Sequence, residues 1–577
     1  MIKYFCKECN TYTETSECGV CGSRTIMESK VFWCPECNVP TYEEVCERCH
    51  TKGEYLTTDV RPVFPEEKLL LSILLDDMEV LKGKAVWNGV GNRYFINGKR
   101  LKNSLKQLIK KDVEGYADKV AERLNSEEGL RWVQEEKIAF DEYIKIFIEA
   151  NKGRYEAITS EALDYISEAS RNYSQGDMFV SFSGGKDSTV TSHLAIRGIG
   201  TPRVIHIFGD TTLEFPKTME YVERFKKANP MIPMLSARNK EQDFMELCDQ
   251  VGPPSRVMRW CCTIFKTGAI TRKIDSTFKN KKSILTFYGV RRSESASRSK
   301  YDRESDSPKI AKQKVVSPII DWIDFDVWLY LLTTGIDFND AYRYGYTRVG
   351  CWCCPNNSDW SAFLSSLYMT EQYKKFHNFL VEFARRIGKE DAEVYVRDGK
   401  WKARQGGNGI EHSKNIFVEF KPCATQDNTF DYQLTKPITT DFYEFFKPFG
   451  FLNFEMGNKR LGEVYVLDRK ENPVMKLQGR VGSTNLKVSV LKVPLGRSKT
   501  VREVEMKIQN QLTKYQICLA CLGCESACKH DAIKIKKMAN GEYEYRIKDE
   551  KCIRCGECIT HYDGGCYMRK VLITKRG

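Results

Sequence analysis

In the middle of the chain, compact apolar runs alternate with segments of helical periodicity. Met178 to Phe182 reads as a strand and Thr189 to Arg197 as the helix after it. Val204 to Phe208 repeats the strand signal, and Met219, Val222 and Phe225 then mark one helical face. Upstream, Glu135 to Ser174 reads as helix, with Phe140, Tyr143, Ile144 and Phe147 at core-like spacing. Lys84 to Ile96 predicts a hairpin turning at Val90-Gly91-Asn92. The helix expected after it carries Lys102, Lys106, Lys110 and Lys111, which suits either a solvated face or a nucleic-acid contact. Downstream, Ser361 to Gly388 reads as a helical cover and Gly406-Gly407-Asn408-Gly409 as a loop. Alternation at Val464 to Leu467 and Leu486 to Val490 predicts a small β-rich connector, followed by a charged helix.

Composition narrows the class. At 577 residues the chain should divide into roughly four domains. Its 41% apolar and 12% aromatic content supports packed cores and excludes a wholly disordered or collagen-like chain. The longest apolar stretch, near Leu69 to Leu75, falls well short of the roughly 18 residues of a spanning helix. No signal-like segment precedes Cys6, so a cytoplasmic protein without a membrane partner is expected. A net charge of +13 would draw polyanions, though a basic average surface explains it equally.

The 23 cysteines carry the most information, because nearly all stand at two-residue spacings. Cys6, Cys9, Cys18 and Cys21 recur as Cys34, Cys37, Cys46 and Cys49, displaced by 28 residues. Paired Cys-x-x-Cys knuckles place four sulfurs around one tetrahedral ion, which predicts two zinc ribbons, with rubredoxin-like iron as the alternative. So few residues with so few large apolar side chains need the metal to fold. At the other end stand Cys518, Cys521, Cys524 and Cys528, then Cys552, Cys555, Cys558 and Cys566. This pattern resembles a two-cluster bacterial ferredoxin, in which the fourth cysteine of each run ligates the other 4Fe-4S cluster. Lys529 replaces the usual proline, and the last spacing is longer than the family's.

Ser183-Gly184-Gly185-Lys186-Asp187-Ser188 joins the first central strand to its helix. Adjacent glycines let backbone amides approach phosphate, the helix presents its positive end, and Lys186 adds a mobile charge. The motif resembles the PP-loop of N-type ATP pyrophosphatases. Asp210, at the carboxyl end of the second strand, is expected to meet nucleotide or Mg2+. Arg291, Arg292 and Arg298, with Glu294 and Ser295 in the same Gly-Val-Arg-Arg-Ser-Glu-Ser stretch, offer guanidinium groups for phosphate or sulfate.

The PP-loop, Asp210-Thr211-Thr212-x-Glu214-Phe215-Pro216, this arginine segment and Pro318-Ile319-x-Asp321-Trp322 together resemble the phosphoadenosine phosphosulfate (PAPS) reductase family over about residues 155 to 360. The resemblance implies an α/β fold, a doubly wound parallel sheet of the adenine nucleotide alpha hydrolase type, binding ATP or adenosine phosphosulfate. The expected organisation is tandem zinc ribbons at 1–57, a small α+β region at 58–134, the nucleotide domain with its helical cover at 135–422, the connector at 423–512 and the ferredoxin-like part at 513–577. Cys261-Cys262 with Cys351-x-x-Cys354 is similar to the 4Fe-4S ligand set of plant and bacterial sulfonucleotide reductases. Zinc can use the same thiols, and Cys353 is left as a sulfur carrier or a buried side chain. Cys248 and Cys423 read as ordinary buried cysteines.

The Glu-Cys-Gly-Leu-His tail that supplies the reductases' nucleophile is missing, whereas the PP-loop is intact. The first expectation is therefore an ATP-dependent sulfurtransferase. Lys186, Asp187, Asp210 and Arg291 would manage substrate adenylation and pyrophosphate release, with sulfur carried by Cys353 or a cluster. The Gly350-Cys351-Trp352-x-Cys354 neighbourhood, similar to DNA phosphorothioation enzymes, implies a nucleic-acid acceptor and a sulfur donor such as a cysteine desulfurase. The alternatives are a sulfonucleotide reductase fed by its own ferredoxin-like part, and a redox-sensing nucleic-acid-binding protein.

Overall fold

The computed structural model describes residues 3–13, 17–109, 115–306, 313–404, 410–493, 495, 498–538 and 543–573. Lys110, Lys111 and the Gly406-Gly407-Asn408-Gly409 segment lie outside the described residues.

The centre is a six-stranded sheet built from β1 (Met178–Phe182), β2 (Ile205–Asp210), β3 (Met234–Arg238), β4 (Ile284–Phe287), β5 (Glu304–Asp306) and β6 (Gln313–Val316), in the order β3-β2-β1-β4-β6-β5. All neighbours are parallel except the edge strand β5. Strands β1 and β4 are almost continuously buried, as expected when helices cover both faces. The order reverses between β1 and β4, and in such doubly wound sheets the crevice beyond the carboxyl ends at that point takes the ligand.

Helices α1 (Glu127–Glu149) and α2 (Lys152–Ser170) flank this sheet. The sequence reads as one helix there, but the chain breaks at Ala150 and Asn151. The buried Asn151 side chain accepts from the Tyr42 amide at 2.9 Å and donates to the Pro40 carbonyl at 3.1 Å. Helix α3 (Lys186–Ile199) follows β1, α4 (Pro216–Ala228) follows β2 with proline at its first turn, and α5 (Asp324–Thr334) follows β6. The Ser361 to Gly388 cover is two helices, Asp359–Tyr368 and Thr370–Arg386.

Toward the N-terminus, two three-stranded sheets carry the paired cysteine knuckles, and a four-stranded sheet follows. In that sheet Val86–Gly89 and Arg93–Ile96 form the expected hairpin. The lysine-bearing helix shrinks to Leu105–Leu108 among the described residues. The connector is a six-stranded antiparallel sheet beginning at Glu419–Pro422. Helix Val501–Ile517 packs on it and delivers Cys518. A hairpin of Ile533–Lys537 and Tyr543–Ile547 separates the last two cysteine runs. Among the described residues no helix is long and apolar enough to cross a membrane.

Candidate active site and metal centres

The cradle is made where β1 hands the chain to α3. Gly184 has a φ of +71°, and a Cβ there would stand 2.8 Å from a Thr218 methyl, so a side chain is excluded by both backbone and space. The Asn339 amide locks the turn by donating to the Gly184 carbonyl at 3.0 Å and to Thr218 Oγ1 at 2.8 Å. Ser188 Oγ accepts from the Ser183 amide at 3.2 Å and donates to the Gly185 carbonyl at 2.8 Å. The first-turn amides of α3 have no intrahelical acceptor and stand at the positive end of the helix dipole, an arrangement suited to an anion.

Four charges lie beneath it. Lys186 Nζ is 3.0 Å from Asp187 Oδ2 and 3.1 Å from Asp324 Oδ1. Arg291 reaches the same two carboxylates, each at 2.6 Å. Its loop can approach because Gly289 lies against the Asp187 backbone, which a Cβ would meet at 2.7 Å. Burial opposes every one of these charges, but the partners outweigh it: Lys186 and Arg291 are raised, Asp187 and Asp324 lowered. The Tyr342 hydroxyl accepts from the Lys186 amide at 3.0 Å. Asp59 closes the rear, its carboxylate accepting the amides of Asp324 and Phe325 at 2.9 and 3.0 Å and so capping α5 from a remote strand connection. Burial and the neighbouring Asp324 push Asp59 up to about 7.

Other expected site residues are distributed differently. Asp210 ends β2, next to β1, where it accepts from the Thr212 amide at 3.0 Å. Arg292 is buried and pairs with Asp321, donates to the Tyr301 carbonyl at 3.1 Å and reaches the Tyr4 hydroxyl at 3.4 Å, so its donors engage protein groups. Glu294 accepts from the Arg291 amide at 3.3 Å and pairs with Arg298, holding guanidinium groups in place. Asp59, Asp324, Asn339 and Tyr342 were not singled out from sequence. Asp324 alone had a signal, since it lies two residues beyond the Pro-Ile-x-Asp-Trp segment.

The two N-terminal cysteine quartets each bring four sulfurs within 4.8 Å of one another. Cys6–Cys21 and Cys9–Cys18 sulfurs are 3.6 and 3.8 Å apart, and Cys34–Cys49 and Cys37–Cys46 are 3.4 and 3.8 Å apart. A tetrahedral ion with 2.3 Å sulfur bonds requires edges of about 3.8 Å, so both sets fit one metal ion each. Hydrogen bonds from Thr51 lower Cys49 to about 6, favouring the thiolate a metal needs.

The central cysteines come together from separate elements. Cys261 immediately precedes a π-helical turn, Cys262–Thr267, while Cys351 bridges to Glu214 and lies 3.6 Å from Thr211 Oγ1. Cys261 and Cys353 are buried in one apolar cluster, against which Cys351 packs. Arg259 and Arg348 favour the Cys354 thiolate against its burial. Cys353 is 6% exposed in an apolar cluster with Cys248 and Phe376, and burial pushes its thiol well above the usual range. That environment suits packing, not an accessible sulfur carrier. Cys248 is buried as expected, but Cys423 is half-buried, 3.8 Å from Lys487 Nζ.

At the terminal end Cys566 is buried in the same cluster as Cys521 of the first run. Cys528 crosses to the second, and one small cavity is lined by Cys528, Cys552, Cys555 and Cys558. Each foursome could therefore hold a metal group. Thiolates on separate irons of a cubane lie farther apart than ligands of one ion, so sulfur edges like those of the ribbons are not required here.

Comparison with known proteins gives the relationship. A family profile described as phosphoadenosine phosphosulfate reductase domain matches residues 177–357. Two uncharacterized proteins of Methanocaldococcus jannaschii are 32% identical over 269 residues and 29% identical over 262. Each match covers 45% of this chain, but only 61% and 53% of those relatives, so the chain spans less than two thirds of their length. The adenosine 5'-phosphosulfate reductase of Neisseria meningitidis serogroup B is 30% identical over 184 residues, covering 30% of this chain and 70% of that protein. With an α/β sheet whose switch point carries the cradle, the chain belongs to the phosphoadenosine phosphosulfate reductase family.

Proposed function

We propose that the chain is a sulfonucleotide reductase that takes an adenylyl sulfate and releases AMP and sulfite. The observation that carries this reading is that the central cysteines meet the carboxyl edge of the sheet beside the cradle. Cys351 Sγ lies 3.6 Å from Thr211 Oγ1, one residue past β2, the strand paired with the β1 that leads into the cradle. A nucleotide whose phosphate rests on the α3 amides would then have the central cysteines at the same end of the sheet. Two electrons cleave the sulfur–oxygen bond of the anhydride, and the bonding pair leaves with the AMP oxygen while the sulfo group departs as sulfite. Lys186 and Arg291 would exchange carboxylate partners for phosphate oxygens, with Asp187 and Asp324 orienting them. Cys261, Cys262, Cys351 and Cys354 would hold a 4Fe-4S group and the terminal cysteines two more, supplying one-electron chemistry. The relative named adenosine 5'-phosphosulfate reductase supports the same substrate class.

The test is sulfite release from adenosine phosphosulfate by anaerobically purified chain with a reduced viologen. Lys186→Ala should lower the rate by about 100-fold or more, as loss of a charge-stabilising donor does. Absence of both sulfite formation and sulfonucleotide binding would remove the proposal. The intact Ser183 to Ser188 loop favours a second reading, ATP-dependent sulfur transfer, in which Asp210 and Mg2+ meet the triphosphate and a nucleic acid accepts sulfur. With Cys353 buried, that reading needs another sulfur carrier, and it predicts AMP and pyrophosphate from ATP. Metal analysis should return about twelve irons and two zincs per chain.

A further inference from the structure

The terminal cysteine region does not hang from the end of the chain. Leu519, Cys521, Cys566 and Met568 are buried in the same apolar cluster as Cys261 and Cys353. A polar rim surrounds them. Gln242 donates to the Leu519 carbonyl at 2.7 Å, Arg272 pairs with Glu525 at 3.0 Å, and the Lys537 amide donates to Glu241 at 2.8 Å. An apolar centre with hydrogen-bonded edges is the anatomy of a lasting interface. Within it, the half-buried Tyr567 ring, next to Cys566, packs against the same cluster, as does Cys351 of the central set. The other foursome lies away from this interface, with Cys528, Cys552 and Cys558 packed against the connector's core, in which Cys524 of the first set is also buried.

We propose that this interface docks the first terminal cysteine set onto the central set, so that the metal groups on the two sets form one interacting pair. The inference rests on the cofactor reading above and adds a fixed internal partner to it. The second terminal set is then the outer one, the side from which a low-potential one-electron donor in solution would be met.

The test is electron paramagnetic resonance of the full chain, loaded with iron anaerobically and reduced with dithionite. In the wild type the terminal signals should relax fast and resist power saturation, because a neighbouring paramagnet lies in contact. Cys261→Ser with Cys262→Ser empties the central set, and the same signals should then saturate at lower power with terminal iron unchanged. Full iron in both sets with unchanged saturation on emptying the central one would overturn the docking proposal alone. A chain that holds no iron in either set would remove the cofactor reading, and this proposal with it.

Discussion

The two ribbons are near copies in sequence and unlike in surroundings. Both gather four sulfurs with the same spacing and the same crossed pairing. The first leaves Val20 81% exposed and Tyr12 56% exposed, and touches the loop after β4 through Tyr4, Arg24 and the Arg292 side chain. The second is built into the main core, where Val31, Trp33, Val39 and Tyr42 are buried with α1 and α5 residues. The Tyr42 ring lies under Arg154 at 3.8 Å, and Arg154 pairs with Asp326 on α5, two residues from the Asp324 that holds Lys186 and Arg291. One metal-binding pattern thus serves as an outlying module in one copy and as a foundation of the cradle in the other.

Breaking a knuckle in each copy should give the largest contrast. Cys46→Ser is expected to release one zinc, destabilise the chain by about 4 kcal/mol or more and abolish nucleotide binding, because a metal and a core contact fail together. Cys18→Ser should also release one zinc yet leave nucleotide binding largely intact. Zinc content, thermal unfolding and nucleotide titration read both, and equal effects would erase the distinction. Next, Asn151→Ala removes the amide that ties Tyr42 and Pro40 to the α1–α2 break, at an expected cost of about 1–3 kcal/mol in denaturant unfolding, with no zinc lost.

Asp59, just past the second ribbon, gives a pH-dependent version. Its folded pKa of about 7 lies above the ordinary 3.8, so the folded chain binds this proton more tightly than the unfolded chain does. The stabilisation from that proton is complete at low pH and is lost as pH rises through about 7. Asp59→Asn should flatten the decline in stability between about pH 4 and pH 7, and an unaltered slope would deny the group its raised value. The smallest effect belongs to the first ribbon's rim. The Arg24–Asp302 pair, 3.7 Å apart with both side chains more than half exposed, should cost no more than about 0.5 kcal/mol when Asp302→Ala removes it and leaves the Arg24 bond to the Lys300 carbonyl in place.

Taken alone, the sequence determined what depends on near neighbours. Cysteine spacing specified the quartets, because a few residues of backbone suffice to aim two sulfurs at one ion. The run from Met178 to Ser188 specified strand, glycine turn and helix start, because those preferences are local. The crossing of Cys528 and Cys566 was legible only through resemblance to ferredoxins. Tertiary structure alone decided which charges face the cradle: Asp59 arrives from 265 positions away to cap α5, and Arg292 turns to Asp321 and Tyr4 while Arg291 turns inward. It also decided that Cys353 is buried and that Cys521 and Cys566 share a buried cluster with Cys261. Such pairings follow from strand order and from which surfaces are left to bury once the sheet has formed, and no short window of sequence contains that information.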